Sequence, residues 1–185
     1  MTSGSPPESA GEAFQLSGPI LAKLPPRPFV CLEVHGELSK CAPAAWGRFE
    51  QDIKPQLAME KSTGRWSGNF VDDSKDGDDK FTYQPGFTFE EAPELVDQAR
   101  AGGASVKTVG GPGDFAQYRM EGGFEHLGSA WGAAFARLGP AGLRPRSALS
   151  FEEYVDMEAA KPVTVIWIPV ERCRSRTRSR SRSRQ

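Results

Sequence analysis

The 185 residues include 38% hydrophobic and 25% charged side chains, a composition that fits an ordinary globular protein and not a fibrous or low-complexity chain. No apolar run reaches the roughly 18 residues of a membrane-spanning helix, and the opening stretch MTSGSPPESAGEAF lacks the basic and apolar regions of a secretory signal. Three cysteines without Cys-x-x-Cys spacing indicate reduced thiols, so we expect a cytoplasmic protein.

The formal net charge of −1 conceals an uneven distribution of charge. The last stretch, RCRSRTRSRSRSRQ, carries seven of the 23 basic residues, whereas all 24 acidic residues precede it. An acidic body gives no reason to expect DNA binding by the folded domain. The Arg-Ser tail, residues 172–185, is predicted to be disordered. It either has no defined role or binds RNA or an acidic partner, and a nuclear location through this tail is the alternative to a cytoplasmic one.

The first predicted elements follow a leader. Residues 1–26 are rich in Ser, Pro, Gly and Ala and are predicted to be disordered. In FVCLEVHG, alternate residues point to opposite faces, as in a half-buried strand. Trp46, Phe49 and Ile53 have helical spacing. The stretches RWSGNFVD and FTYQPGFTF predict two further strands, the second interrupted at its Pro-Gly pair.

A connector leads to a second segment of the same order. EEAPELVDQARAGG predicts a short helix, and VKTVGGPG leads out of it. DFAQYRMEG predicts a strand, and an apolar stripe from Leu127 to Leu138 predicts a helix. ALSFEEYVDM and VTVIWIPV predict the last two strands. Residues 28–89 and 114–170 are therefore both predicted as strand, helix, strand, strand.

The two segments also share sequence. VHGELSKCAPAAWGRF and MEGGFEHLGSAWGAAF both pass from a strand through a glycine to Ala-Trp-Gly and a phenylalanine. We therefore predict an α+β fold over residues 27–171, in which a duplicated strand-helix-strand-strand module forms one antiparallel sheet with two helices on one face. A ligand cleft is expected on the other face, at the crease between the halves.

The stretches KTVGGPGDFAQYRMEGGFEHLGSAW, SFEEYVDM and TVIWIPVE resemble the GyrI-like small-molecule-binding domains, and WSGNFVDDSKDGDDKFTYQPGFTF matches them more loosely. Such domains are also the effector-binding modules of AraC-type and multidrug-sensing transcription regulators. The resemblance implies the same duplicated fold and a small-molecule ligand. The haem-binding SOUL family has a similar architecture and remains an alternative. No helix-turn-helix segment is recognised, so we expect a free-standing, monomeric domain that binds no DNA.

Strand alternation predicts the residues of the cleft. Glu152 and Tyr154 are expected to face away from the helices, with Trp167 beside them on the neighbouring strand. A carboxylate among aromatic rings suits an amphipathic, aromatic or cationic organic ligand. The resemblance implies the same use of Glu152 and Tyr154, because the family carries a Glu and a Tyr at this spacing. Val165 stands where the family often has a second acid, which weakens the case for strong cation selectivity.

Four further residues are considered for the cleft. Phe115, Arg119 and Glu33 are expected on the cleft side, with Arg119 and Glu33 paired across the pseudo-two-fold axis. Glu153 falls on the apolar face by periodicity, unless a bulge changes the alternation, and is the alternative functional acid.

The tryptophans of the repeated Ala-Trp-Gly are assigned to core packing instead of ligand stacking. Trp46 and Trp131 both lie on apolar helix stripes. His35 and His126 lack metal-ligand spacing, so neither a metal nor another cofactor is expected.

Three classes of function fit these residues. The first, which we favour, is a binding domain without catalysis. The second is implied by the resemblance, because some GyrI-like proteins hydrolyse reactive cyclopropane-bearing natural products. In such a hydrolase Glu152 acts as acid and base, assisted by Tyr154. The third is a gyrase-associated or RNA-associated interaction protein. No Gly-x-Ser-x-Gly elbow and no nucleotide phosphate loop stands out in the sequence.

Overall fold

The structure, a computed structural model, describes residues 14–72 and 74–173. The elements in chain order are β1 (Gln15–Ala22), β2 (Arg27–Leu32), β3 (Val34–His35), α1 (Leu38–Arg48), β4 (Ser62–Val71), β5 (Phe81–Phe89), α2 (Asp97–Ala101), β6 (Ala104–Val109), β7 (Asp114–Glu121), α3 (Leu127–Leu138), β8 (Leu143–Pro145), β9 (Ser150–Asp156) and β10 (Val163–Arg172). The predictions for leader residues 1–13 and tail residues 174–185 lie outside the described residues. Within the described part, no helix has the length and apolar character needed to cross a membrane.

The strands form one antiparallel sheet in the order β1-β7-β10-β9-β4-β5-β2-β6, with β3 paired to β5 and β8 paired to β10. The fold is α+β, as predicted. Residues 27–89 contribute the strand order β2-β5-β4, and residues 114–172 contribute β7-β10-β9, so the two segments have the same connectivity. They meet where β4 pairs with β9 at the centre of the sheet. The duplication itself stays a prediction.

Both main helices pack on one face of the sheet. The π-helical turn that continues α1, Phe49–Ile53, buries its ends against β2, and α3 packs on β7 and β10. Residues paired across antiparallel strands share a face. The strand register gives a row of directly paired residues that share one face of the sheet. The row runs from β2, which contacts the turn after α1, to β10, which contacts α3, through Val30, Phe87, Arg65, Tyr154 and Thr164.

The opposite face carries a second core, rich in aromatic rings. Trp66 and Trp167 stack with their ring centroids 6.4 Å apart, and Phe115 packs against Phe151 at 6.4 Å. Leu24, from the connection between β1 and β2, belongs to the same cluster. The central strands are therefore buried on both sides.

Two edge strands were not predicted. β1 lies inside the leader and pairs with β7 from Gln15 to Ala22, so the prediction of disorder is wrong for these residues. Its sequence, QLSGPILA, contains Ser, Gly and Pro, which are typical of loops. An edge strand tolerates these residues because its backbone needs hydrogen bonds on only one side. β6 follows the short α2 and pairs with β2 at the other edge.

Two boundaries also differ from the predictions. β5 runs unbroken from Phe81 to Phe89, because Gly86 has no side chain and so lets the backbone of β2 approach closely. β10 extends to Arg172, which pairs with Leu143 of β8. The first residue assigned to the disordered tail therefore belongs to the sheet.

Candidate functional site

Glu152 is a buried carboxylate at the centre of the sheet, 4% exposed. It lies on β9 between Ser67 of β4 and Ile166 of β10, on the side that carries the helices. Its Oε2 accepts hydrogen bonds from the Ser67 hydroxyl at 2.8 Å and from the Tyr154 hydroxyl at 2.5 Å. Its Oε1 accepts one from the Trp131 indole N–H of α3 at 2.6 Å. Two strands and one helix thus converge on the carboxylate.

The hydrogen bonds continue to the other helix. The Tyr83 hydroxyl lies 3.4 Å from the Tyr154 hydroxyl, and the Trp46 indole N–H donates to Tyr83 Oη at 2.7 Å. Burial raises the pKa of both phenols, and the Glu152 carboxylate raises it further because it would repel a phenolate. Both tyrosines therefore remain protonated and able to donate hydrogen bonds.

Aromatic rings surround this network between α1 and α3. The Tyr154 ring meets Trp46 edge to face at 5.7 Å and Phe124 at 5.8 Å, both between ring centroids. Phe124 is 42% exposed and lies at the rim. We call the region bounded by Glu152, Tyr154, Trp46, Trp131 and Phe124 the central cleft.

Glu152 has no ion-pair partner within the described part of the chain. All three of its hydrogen-bond donors are neutral, and Arg65, which lies opposite Tyr154 on β4, pairs with Glu50 instead. Burying a carboxylate is costly without a positive partner, and neutral donors offset only part of that cost. The buried carboxylate can therefore bind a cation, or a further hydrogen-bond donor, more favourably than a solvent-exposed carboxylate can.

The sequence was compared with families of known proteins. The family described as the GyrI-like small molecule binding domain matches residues 19–171. The chain belongs to this family. A comparison with curated proteins found no match.

Solved structures with the same fold agree with this assignment. SAV2435, solved bound to tetraphenylphosphonium, is 18% identical with a TM-score of 0.60, over 82% of this chain and 93% of that one. The C-terminal domain of EcmrR is 12% identical with a TM-score of 0.59, over 86% and 98%. An integron cassette protein of Vibrio cholerae is 13% identical with a TM-score of 0.56, over 86% and 100%. At these identities the likeness shows the fold alone.

The orientation predicted for the main site residues of this GyrI-like domain is wrong. Glu152 and Tyr154 lie on the helix side, not on the side away from the helices. Trp167 pairs with Phe151 and belongs to the opposite face, so it forms no aromatic wall for Glu152. The physical reason is that β9 and β10 are buried on both faces, so alternation alone did not fix which face carries the helices.

The other predicted residues also lie outside the central cleft. Phe115 belongs to the aromatic core of the opposite face. Arg119 pairs with Glu121 on its own strand at 3.0 Å, and Glu33 pairs with Lys107 of β6. The predicted pair between Arg119 and Glu33 is not formed, because β7 and β2 lie in different halves of the sheet, separated by four strands.

Glu153, the alternative acid, faces the opposite core. Its Oε2 accepts a hydrogen bond from the Trp167 indole N–H at 3.1 Å. Burial raises the pKa of the Glu153 carboxyl, while the Trp167 hydrogen bond and the positive charge of Arg27 lower it in part. The two adjacent glutamates therefore occupy separate environments on opposite sides of one strand.

We expect Glu153→Gln to change how stability depends on pH. Because the folded pKa is raised above the ordinary value of 4.5, this group favours the folded state most below about pH 4.5, and that contribution is lost as the pH rises through its folded pKa. Glutamine does not titrate, so the variant should gain stability relative to the wild type at about pH 7 and gain less at about pH 4. Urea denaturation at both values tests this, and an equal difference at both would contradict it.

The described cavities do not coincide with the central cleft. One, of about 470 Å³, lies between β1 and α3 and is lined by residues that include Leu16, Arg119 and Arg137. Another, of about 740 Å³, lies beside the loop that follows β5, with Glu60 and Glu94 in its lining. Neither is lined by Glu152. Within the cleft, the Tyr154 ring contacts the rings of Trp46 and Phe124, so a ligand that packs on Tyr154 would have to part these rings.

Two contributors to the cleft were missed from sequence. Trp46 and Trp131 pack on the sheet as predicted, but each also donates an indole hydrogen bond into the network from an equivalent place in its segment. The repeated Ala-Trp-Gly was the available signal. Ser67 stands directly opposite Glu152, and its hydrogen bond to Glu152 depends on the pairing of β4 with β9.

Proposed function

We propose that this chain binds an amphipathic organic ligand, aromatic and cationic in character, in the central cleft between its two helices. The supporting observation is the buried Glu152 carboxylate, which has three neutral donors and no positive partner among the described residues. A ligand cation would supply the missing charge, and the surrounding rings would contact its apolar surface.

The family and the structural neighbours support this proposal. The family is one of small-molecule-binding domains. SAV2435, whose solved structure holds tetraphenylphosphonium, shares the fold. That ligand combines a delocalised positive charge with four aromatic rings, which is the chemistry that a carboxylate beside Trp46 and Tyr154 would suit. Tetraphenylphosphonium is therefore the first probe to use with this chain.

The cleft has a carboxylate on one side only. Ser67 of β4 lies directly across from Glu152 of β9. A ligand with one basic end would bind in one orientation, with that end beside Glu152 and its apolar part between Trp46 and Phe124. Phe124 is exposed and contacts Tyr154, so we propose that its movement lets the ligand enter.

The experiment is a calorimetric titration of tetraphenylphosphonium into the wild type and Glu152→Gln. Glutamine keeps the shape of the side chain and can still accept hydrogen bonds, but it removes the charge. Losing a charge-assisted contact should weaken binding by about 1.5–3 kcal/mol, or about 10- to 150-fold. Circular dichroism of both proteins checks that the fold is retained.

Glu153→Gln is the matched control, because it makes the same change one residue along the same strand and faces the opposite core. Its affinity should stay within about twofold of the wild type. The reverse ranking of the two variants would refute the role of Glu152 and make Glu153 the ligand acid. Chromatography of the recovered ligand distinguishes binding from turnover, and a product that disappears with Glu152→Gln would support the hydrolase alternative.

A further inference from the structure

Arg65 places a positive charge of the chain itself against the aromatic wall of the central cleft. It lies on β4 directly opposite Tyr154. Its guanidinium carbon is 3.9 Å from the centroid of the Trp46 ring and 5.9 Å from that of Tyr154. Its side chain is 29% exposed. This is the position in which an aromatic face attracts a cation.

We propose that Arg65 is an internal competitor of the ligand, which occupies the Trp46 face in the ligand-free protein and must be displaced before a cationic ligand can use that face. This inference rests on the proposed function and adds to it a residue that determines which cations bind. A ring face in a narrow cleft contacts one cation at a time, and two positive groups held at that distance would repel each other.

The remaining contacts of Arg65 suit a side chain that can leave. Its Nε is buried and has no hydrogen-bond partner among the described residues. Its Nη2 lies 3.6 Å from Oε1 of Glu50, which is part of the π-helical turn after α1. Glu50 also holds Lys54, at 2.5 Å. Arg65 is therefore held in place by the ring of Trp46 and by a long ion pair with a glutamate that already has a closer cation in Lys54.

Displacement of Arg65 predicts the class of ligand. A compact ammonium ion has too little surface to compensate for the lost contact between Arg65 and Trp46. A large delocalised cation with aromatic rings replaces that contact and also covers the ring of Tyr154. The wild type should therefore favour tetraphenylphosphonium strongly over tetramethylammonium, and removal of Arg65 should reduce this preference.

The test uses calorimetric titrations of both ions into the wild type, Arg65→Met and Arg65→Gln, at one ionic strength. Both neutral variants should bind tetraphenylphosphonium about 2- to 30-fold more tightly, the range that corresponds to one cation–π contact. Tetramethylammonium should gain by a larger factor, so that the preference for tetraphenylphosphonium falls. Arg144→Met is the matched control, because it removes the same charge from an exposed pair with Glu171 on β10. Its affinities should match the wild type.

The possible outcomes separate this inference from the proposed function. Tighter binding by both Arg65 variants and not by Arg144→Met supports the competition. Unchanged or weaker binding by the Arg65 variants, while Glu152→Gln still loses affinity, would overturn the competition and leave the proposed function standing. Equal gains in affinity by all three arginine variants would show that the effect comes from the net charge of the protein, and would overturn the inference. No binding by any protein would overturn both.

Discussion

Gly86→Ala should destabilise the protein by more than about 3 kcal/mol, or prevent it from folding. A Cβ at this position in β5 would overlap the carbonyl oxygen of Val30 and lie 2.8 Å from the Cα of Cys31. Both are backbone atoms of the neighbouring strand β2, and they cannot move without breaking the pairing of β2 with β5. Urea denaturation of the purified variant, or its recovery in the soluble fraction, measures the effect.

Gly132→Ala is the control for this prediction. Gly132 lies within α3, is exposed, and has no atom within 4 Å of an added Cβ. Alanine in the interior of a helix is favoured over glycine by about 0.5–1 kcal/mol, so this variant should be more stable than the wild type. If Gly86→Ala were as stable as Gly132→Ala, the close approach of β2 to β5 would be wrong.

Deleting residues 1–22 should lower the free energy of unfolding by about 2–4 kcal/mol and the melting temperature by about 5–15 °C. The deletion removes β1, whose Leu16 packs on the core beneath α3 and accepts a hydrogen bond from Arg137 through its carbonyl oxygen at 2.7 Å. It would also leave β7 as an exposed edge beside Tyr118 and Met120, which are buried in the intact protein.

A shorter deletion, of residues 1–13, retains β1 and provides the reference. Its melting temperature should stay within about 2 °C of the full chain, a difference that amounts to less than about 1 kcal/mol. Differential scanning calorimetry of the three proteins measures both shifts. Equal melting temperatures for the two deletions would show that β1 adds nothing to stability, as the prediction of a disordered leader requires.

Most helices and strands could be predicted from the sequence, because the strongest sequence signals are local. The stretch FVCLEVHG was predicted as one half-buried strand and forms β2 and β3, of which β2 is buried on both faces, whereas the apolar stripe of the second helix predicted α3 closely. The repeated Ala-Trp-Gly predicted the matching order of the two segments. β1 and β6 were missed because edge strands pair on one side only and show weak hydrophobic patterns.

The candidate site was harder to predict because it depends on tertiary pairing. Glu152 and Tyr154 share a face of β9, as predicted. That face carries the helices, whereas the prediction put both residues on the face away from the helices. Phe151 and Trp167 are buried as deeply on the other face, so the alternation of polar and apolar residues carries no information about which side holds the helices. Arg65 gave no signal of its own, since only the pairing of β4 with β9 brings it to Tyr154.

The pairing of Ser67 with Glu152 across the seam between β4 and β9 bears on how such a cleft can evolve. If two identical copies of the second segment were joined along β9, each Glu152 would face its own copy across the symmetry axis. Two buried carboxylates in direct opposition repel each other and destabilise the pair. Two segments of one chain need not be identical, so one can carry an acid while the other carries a serine that donates a hydrogen bond to it. A single buried carboxylate set against a neutral hydrogen-bond donor is thus available to a chain whose two segments differ, and closed to a symmetric dimer, in which each side chain at the axis occurs twice.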